Sequence, residues 1–407
     1  MRRVLLAVAA VALAAAFPSA ASAKESGVDQ KVTAINALLE SRAKAEMARD
    51  RDAFAQTIDP KAPASFRAAQ LAGFDNLAAL PVVSIGYEAS VELGGNLSRG
   101  ATKAEYGDAA VLIPETVRRM RFAFDGERPW IDDMWWTYVE RDGRWYVGGD
   151  DDLVDVGLEP AVSMWDRGPV VMVEAEHVAL IAHPNDRPRA EALLGLAEQA
   201  LVTLNARWTL PWTGTIVGFL PESPRELTEL IQASVDVSKF VAFVSYGLDA
   251  ESFEPGAPRL YVQDRNLSRY PAAGQVETLV HEFVHAAGSR YAGSYTPSWA
   301  HEGLADWVAV GPTNKFPRGS GAGETAPRDD QFGAGSQGQI VQAYKDSRSL
   351  MASLARIGGN QAPYEFFKAL GAQRVRPGAR AYVVDQALQT LGFEGVNDLE
   401  AKWRAGR

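Results

Sequence analysis

The sequence predicts an α+β chain built from two unlike units, and three observations carry that prediction. Residues 27–80 place apolar side chains at helical spacing, and the chain then alternates apolar and polar residues, rich in Val, Tyr and Trp, as far as Gly148. From Val170 onward short apolar runs alternate with helical patterns, which is the order of a small mixed sheet. From Ile340 to Arg404 the only period is helical. With 407 residues, 47% of them hydrophobic, the chain can build two or three domains with sizeable cores.

The first residues, MRRVLLAVAAVALAAAFPSAASA, have the pattern of a secretory signal. Arg2 and Arg3 form a positive start, and Val4 to Phe17 an apolar run too short for a comfortable membrane span. Ala21-Ser22-Ala23 supplies the small-residue cleavage pattern, so residues 1–23 are expected to be removed and the protein secreted. No later stretch is apolar enough to span a bilayer. The absence of cysteine excludes disulfides, thiolate metal sites and thiol nucleophiles. An Ala-rich, Cys-free exported chain has the compositional style of a bacterial protein. A net charge of −10 argues against nucleic acid as a partner and offers no attraction to anionic membranes.

The first unit is expected over residues 24–156. Val32, Ile35, Leu38, Leu39, Ala43, Met47 and Phe54 give a helical stripe that Asp59-Pro60 stops. Phe66, Leu71, Phe74 and Leu77 give a second, ended by Pro81. Val82 to Leu97, Ala109 to Phe124 and Met134 to Gly148 read as long strands of one curved antiparallel sheet, with Asp142-Gly143 as a hairpin turn. Helices followed by a twisted sheet with the hairpin WWTYVERDGRWYV resemble the cone-shaped nuclear-transport-factor-2-like fold. The resemblance implies a pocket, which Trp130, Trp135, Trp136 and Trp145 would either line or simply fill as core. Asp150, Asp151 and Asp152 are either a solvated acidic turn or, without the spacing of a calcium loop, a poor calcium site.

Asp155 to Pro169 is turn-rich and aperiodic, so a linker is expected over residues 157–169 and a second unit over 170–407. Strands are expected within Val170–Ala182 and at Gly214–Leu220, Val241–Tyr246 and Arg259–Val262. Helices are expected at Arg187–Trp208 and at Ser223–Ala233, where Glu226 follows the capping Ser223 by three residues. His177 and His183 lie far upstream of any motif and read as structural or surface residues.

The stretch HEFVHAAGSRYAGSYTPSWAHEGLAD, from His281 to Asp306, carries the chemistry. On a helix His281 and His285 share a face, so both imidazoles reach one metal, while Glu282 projects about 100° away and is free to hold a water. Val276, Leu279, Val280, Phe283 and Val284 bury this helix, and unpartnered buried imidazoles would be costly. Glu302 offers a third ligand that leaves zinc an open position for water. Asp306, four residues on, is on the same helix face and can accept from a ligating imidazole. Tyr291 and His301 stand as alternative third ligands. Gly288 fits the metzincin pattern, but Tyr291 occupies that family's ligand position.

HEFVH followed by PSWAHEGLADW resembles the gluzincin clan of zinc metallopeptidases over about 30 residues, and more loosely over the C-terminal two-thirds of the chain. Carried over by position, His281, His285 and Glu302 would bind one Zn2+, Glu282 would be the general base, and Asp306 would orient a ligand. The resemblance implies a thermolysin-like domain: a small mixed sheet, the active-site helices and an all-α C-terminal subdomain. It also implies that the last strand before the helix, Arg259–Val262, is an edge that pairs with an extended peptide, although an ordinary internal strand fits equally. Gly311 to Gln339 reads as a loop after the second helix, either disordered or a lid. Helices are expected at Ile340–Ile357, Ala362–Leu370, Ala379–Leu391 and Val396–Arg404. Within QAYKDSRSLMASL, Tyr344 matches the family's oxyanion-stabilising tyrosine, although Lys345-Asp346 stands where the family has Lys-Gly.

The function these expectations converge on is a secreted zinc metallopeptidase acting on peptide or protein substrates. Without a Gly-x-Met-Glu-Asn motif for a free N-terminus, endopeptidase action is favoured. The alternatives are an extracellular ligand- or cell-wall-binding protein with a non-catalytic zinc domain, and a chain that processes itself within Asp155–Pro169.

Overall fold

The structure, a computed structural model, describes residues 25–90, 105–232, 237–238, 240–249, 254–293, 296–311, 325–333, 336–372 and 380–406. The expected signal, the end of the first strand toward Leu97, the end of the Ser223 helix at Ala233 and much of the expected 311–339 loop lie outside them. Helix and strand are mixed, with small sheets, as an α+β reading requires.

Helix α1 (Glu25–Ala48) is broken from α2 (Arg51–Ala55) at Arg49, whose φ is 55°, and Asp50 caps the new helix by accepting from the Ala53 N–H. Helix α3 (Ala64–Leu77) follows Pro63 and stops before Pro81. Buried Ile35 and Leu39 place α1 on β1 (Val82–Ser90), where Asn36 both donates to the Ala89 carbonyl and accepts from its N–H.

The single curved sheet expected here is divided. Among the described residues one sheet has the order β1, β3 (Glu115–Phe122), β4 (Trp130–Met134). The other comprises β2 (Val111–Leu112), β5 (Thr137–Arg141) and β6 (Arg144–Gly149). The chain changes sheet at Ile113-Pro114, where proline removes a ladder donor, and again at Trp135-Trp136. Asp142 and Gly143, at φ 52° and 77°, form the two-residue hairpin turn between Arg141 and Arg144. The tryptophans do not share one pocket. Trp136 and Trp145 pack with Ile35, Leu39 and Tyr138, whereas Trp130 joins a separate cluster.

The segment expected to be an aperiodic linker is built into the core. Ser163 and Asp166 form a capping box on a helical turn, Met164–Arg167, and Met164 and Trp165 are buried. Their cluster takes Met120 and Phe122 from the first region and Ile181, Val217, Phe219 and Tyr261 from the second, so one core spans both. A fully buried ion pair reinforces it. Arg259 meets Asp125 at 2.5 and 2.6 Å, its guanidinium lies over Trp130 and Phe122, and Asp125 also accepts from the Phe122 N–H. Removing one partner of such a pair leaves a buried charge, at about 3–5 kcal/mol.

The second region holds a five-stranded sheet in the order β10 (Ala242–Ser245), β11 (Arg259–Val262), β9 (Ile216–Leu220), β8 (Val178–Ala182), β7 (Val171–Glu174). The three central strands are parallel and the two outer ones antiparallel to their neighbours. Arg259–Val262 is therefore internal, contrary to the edge position the resemblance implied. Its four residues are all buried, and the edge beside the following helix belongs to β10. Helices α4 (Arg187–Asn205) and α5 (Pro224–Leu230) precede β10. Helices α6 (Ala272–Gly288) and α7 (Ser298–Val310) follow the sheet, and α8 (Gln337–Gly358), α9 (Ala362–Ala372), α10 (Arg380–Gln389) and α11 (Val396–Ala405) complete the chain. No helix among the described residues is long and apolar enough to cross a membrane.

His183, just beyond β8, uses both ring nitrogens. Nδ1 donates to the Pro169 carbonyl at 2.8 Å and Nε2 to Glu226 Oε1 at 2.7 Å. The Glu226 bond holds its pKa up at about 9, against burial, compared with an ordinary 6.5. The folded state thus keeps a proton that the unfolded chain releases. The resulting stability is complete below pH 6.5 and lost as pH rises through 9. His183→Gln should lower stability by on the order of 1–3 kcal/mol at pH 6. Urea unfolding should show this deficit shrinking by pH 10, and a constant deficit would contradict the assignment.

Candidate metal centre

Two helices bring the donors together. Helix α6 follows Pro271 and α7 follows Pro297. The first α7 N–H, that of Ser298, donates to Asp329 at 2.8 Å. One face of α6 carries His281 and His285, and one face of α7 carries Glu302 and Asp306, as the four-residue spacings require. The helices pack on each other, and α7 also packs closely on α8. At that second crossing Gly303 leaves no room for a side chain, since a Cβ would sit 2.6 Å from the Ser347 carbonyl oxygen. This approach sets Tyr344, on α8, with its ring centre 6.3 Å from that of His281.

The donor atoms of His281, His285 and Glu302 all lie within 4.8 Å of one another, and the group could hold a metal ion. His281 Nε2 is 3.1 Å from Glu302 Oε2 and 3.2 Å from His285 Nε2, and His285 Nε2 is 3.6 Å from Glu302 Oε2. Ligands at zinc-like bond lengths of about 2.0–2.1 Å in tetrahedral array stand about 3.3 Å apart, so the spacing fits such an ion. The chemistry of the set fits as well. His281 Nδ1 is 3.0 Å from Asp306 Oδ1, and in the neutral ring that donates there the Nε2 lone pair is aimed at a carboxylate and at a second imidazole nitrogen. Atoms converging in this way are satisfied by a cation between them, either a metal ion or a proton on His281.

All four side chains that meet here are at least largely buried. Burial opposes charge on His281, yet the hydrogen bonds and charges of Asp306 and Glu302 hold its pKa well above the usual range. Burial likewise opposes ionisation of Glu302, but the two imidazoles hold its carboxyl far below its usual range. Glu282 behaves differently. Burial pushes it up to about 7, against His281, His285 and a hydrogen bond from the Val244 backbone. The neighbouring carboxylates thus differ: one is held ionised at the donor cluster, the other is poised near neutrality beside it.

The alternative third ligands stand outside the donor group. The Tyr291 hydroxyl donates to the Pro211 carbonyl at 2.6 Å, and the His301 ring, 6.1 Å from that of His285, packs edge-on against Phe367 and is not among the donors within 4.8 Å of one another. His177 lies beside Glu176 and Glu198, and His183 pairs with Glu226. Asp152 accepts from Tyr106 and Thr137, and no second metal-ligating group occurs among the described residues, so Asp150–Asp152 form no calcium cage. The Val244 N–H was not anticipated as part of the site. Gln263 donates to the Val241 carbonyl, so in this antiparallel pair Ala242 and Val244 turn their N–H and C=O groups outward from the sheet. The strand order that reveals this is not written in the local sequence.

No known protein-family model, curated protein or solved structure matches this chain.

Asp306→Ala should weaken metal binding by about 10–100-fold, because His281 loses the partner that fixes its ring. Competition with a chromophoric chelator measures this, and an unchanged affinity would contradict the role given to Asp306.

Proposed function

We propose that the protein is a zinc-dependent metallopeptidase of gluzincin type, acting as an endopeptidase. The observation that carries this reading is the pairing of a three-donor cluster at tetrahedral spacing with a separate buried carboxylate, Glu282, on the same helix. A purely structural metal site has no use for Glu282. The proposal extends to a thermolysin-like second region, a nuclear-transport-factor-2-like first region and export from the cell.

When bound, zinc would supply Lewis acidity, polarising a carbonyl and acidifying water at its open position. His281, His285 and Glu302 would hold it, with Asp306 fixing the His281 ring. The outward edge of β10 orients an extended peptide by main-chain hydrogen bonds, which are indifferent to sequence. Glu282 takes a proton from the attacking water and passes it to the leaving amine, a task that favours a pKa near the working pH. Tyr344 donates its hydroxyl to the developing oxyanion.

Glu282→Gln keeps the hydrogen-bonding shape and removes the base. The variant should retain zinc one-to-one while casein hydrolysis falls by about 10²–10⁴-fold. Hydrolysis at the wild-type rate with full zinc occupancy would sink the assignment of Glu282.

A further inference from the structure

Beyond the end of the metal-binding helix stand two arginines, one from each region of the chain. Arg128 lies between β3 and β4. It donates from Nη1 to the Pro255 carbonyl at 2.9 Å and from Nη2 to the Ser289 hydroxyl at 3.0 Å. Ser289 follows α6 directly and is itself buried, donating to the Ala286 carbonyl at 2.8 Å. The next residue, Arg290, is exposed, its guanidinium 5.6 Å from the Tyr291 ring centre. Neither arginine forms an ion pair among the described residues. Burial and the charge of Arg290 both act to lower the Arg128 pKa, while Tyr246 and the exposed Glu254 oppose them. Two cationic side chains therefore lie near enough to feel each other's charge.

Their place relative to the metal cluster follows from chain geometry. Ser289 is four residues beyond His285, about 6 Å along the helix axis. On the sheet side Tyr246, which feels the Arg128 charge, is two residues beyond Val244, about 6–7 Å along a strand. An extended peptide lying on the β10 edge advances by about 3.3 Å per residue, so the arginines meet it about two residues from the reacting bond.

We propose that Arg128 and Arg290 form a carboxylate-recognising subsite, which gives the enzyme a preference for peptides with an acidic group two residues from the cleaved bond. The inference rests on the peptidase reading. The group recognised is a carboxylate, borne by an Asp or Glu side chain or by the peptide's own C-terminus. Arg128 is the fixed member, tethered by two hydrogen bonds, and Arg290 the accessible one. The first region thus contributes directly to specificity.

The test uses full-length, zinc-loaded Glu282→Gln protein and fluorescence anisotropy. One labelled hexapeptide core is presented with Glu or Gln at each position in turn, and with a free or amidated C-terminus. Wild-type protein is assayed for cleavage of the same set. At one position, or at the free C-terminus, the carboxylate should bind about tenfold more tightly than its neutral counterpart, and the preference should weaken with salt. Adding Arg290→Gln, an exposed substitution that spares the fold, should bring the two within about twofold. The Glu arm and the free-terminus arm identify the source of the carboxylate. Binding and cleavage that ignore the carboxylate, or a preference that survives Arg290→Gln, would overturn the subsite and leave the peptidase reading standing. No binding and no cleavage of any peptide would overturn both.

Discussion

The helices of the second region meet where three side chains that could hold a metal ion converge inside an apolar seam. Two imidazoles and a carboxylate buried there would each be costly alone. Together they are offset by one another, by Asp306 on the far side of His281 and by the metal ion the group could hold. Leu279, Val280, Phe283 and Val284 on α6, and Leu304, Trp307 and Val308 on α7, belong to one core that keeps the helices in register. Gly303 is part of the same constraint, since only a residue without Cβ admits the α8 backbone so close behind Glu302.

A second constraint couples the two regions. The Asp125–Arg259 pair locks the start of β11 to the first region, and β11 in turn carries the edge strand β10 that faces Glu282. The shared core through Met164 and Trp165 makes the connecting segment part of the packing. A cut in Asp155–Pro169 would fall beside buried side chains, which weakens the case for self-processing there.

Local pattern made the site legible and left its surroundings dark. The face shared by His281 and His285, and that shared by Glu302 and Asp306, follow from helix geometry, and the apolar residues around them foretold burial. The choice between Glu302, His301 and Tyr291 was open in sequence and is separated by contacts: the latter two side chains pack on Phe367 and bond to Pro211. Strand order is non-local, so nothing in Arg259–Val262 distinguished an internal strand from an edge. The first sheet divides at Pro114, a single residue inside a long alternating pattern. The ordered linker follows from a Ser163-x-x-Asp166 capping box, a signal of only four residues. Arg128 lies 161 residues from Ser289 in the chain, and no periodicity could join them.

The central claim is that two imidazoles and one carboxylate hold a single zinc ion at the α6–α7 seam. X-ray absorption at the zinc edge, on full-length protein loaded one-to-one, examines it most directly. The predicted spectrum has two imidazole nitrogens and two oxygens, from Glu302 and solvent, at about 2.0–2.2 Å. Replacing Glu302 with Gln should change that shell, whereas replacing His301 with Gln should leave it intact. A shell of three imidazoles that responds to His301 and ignores Glu302 would contradict the assignment.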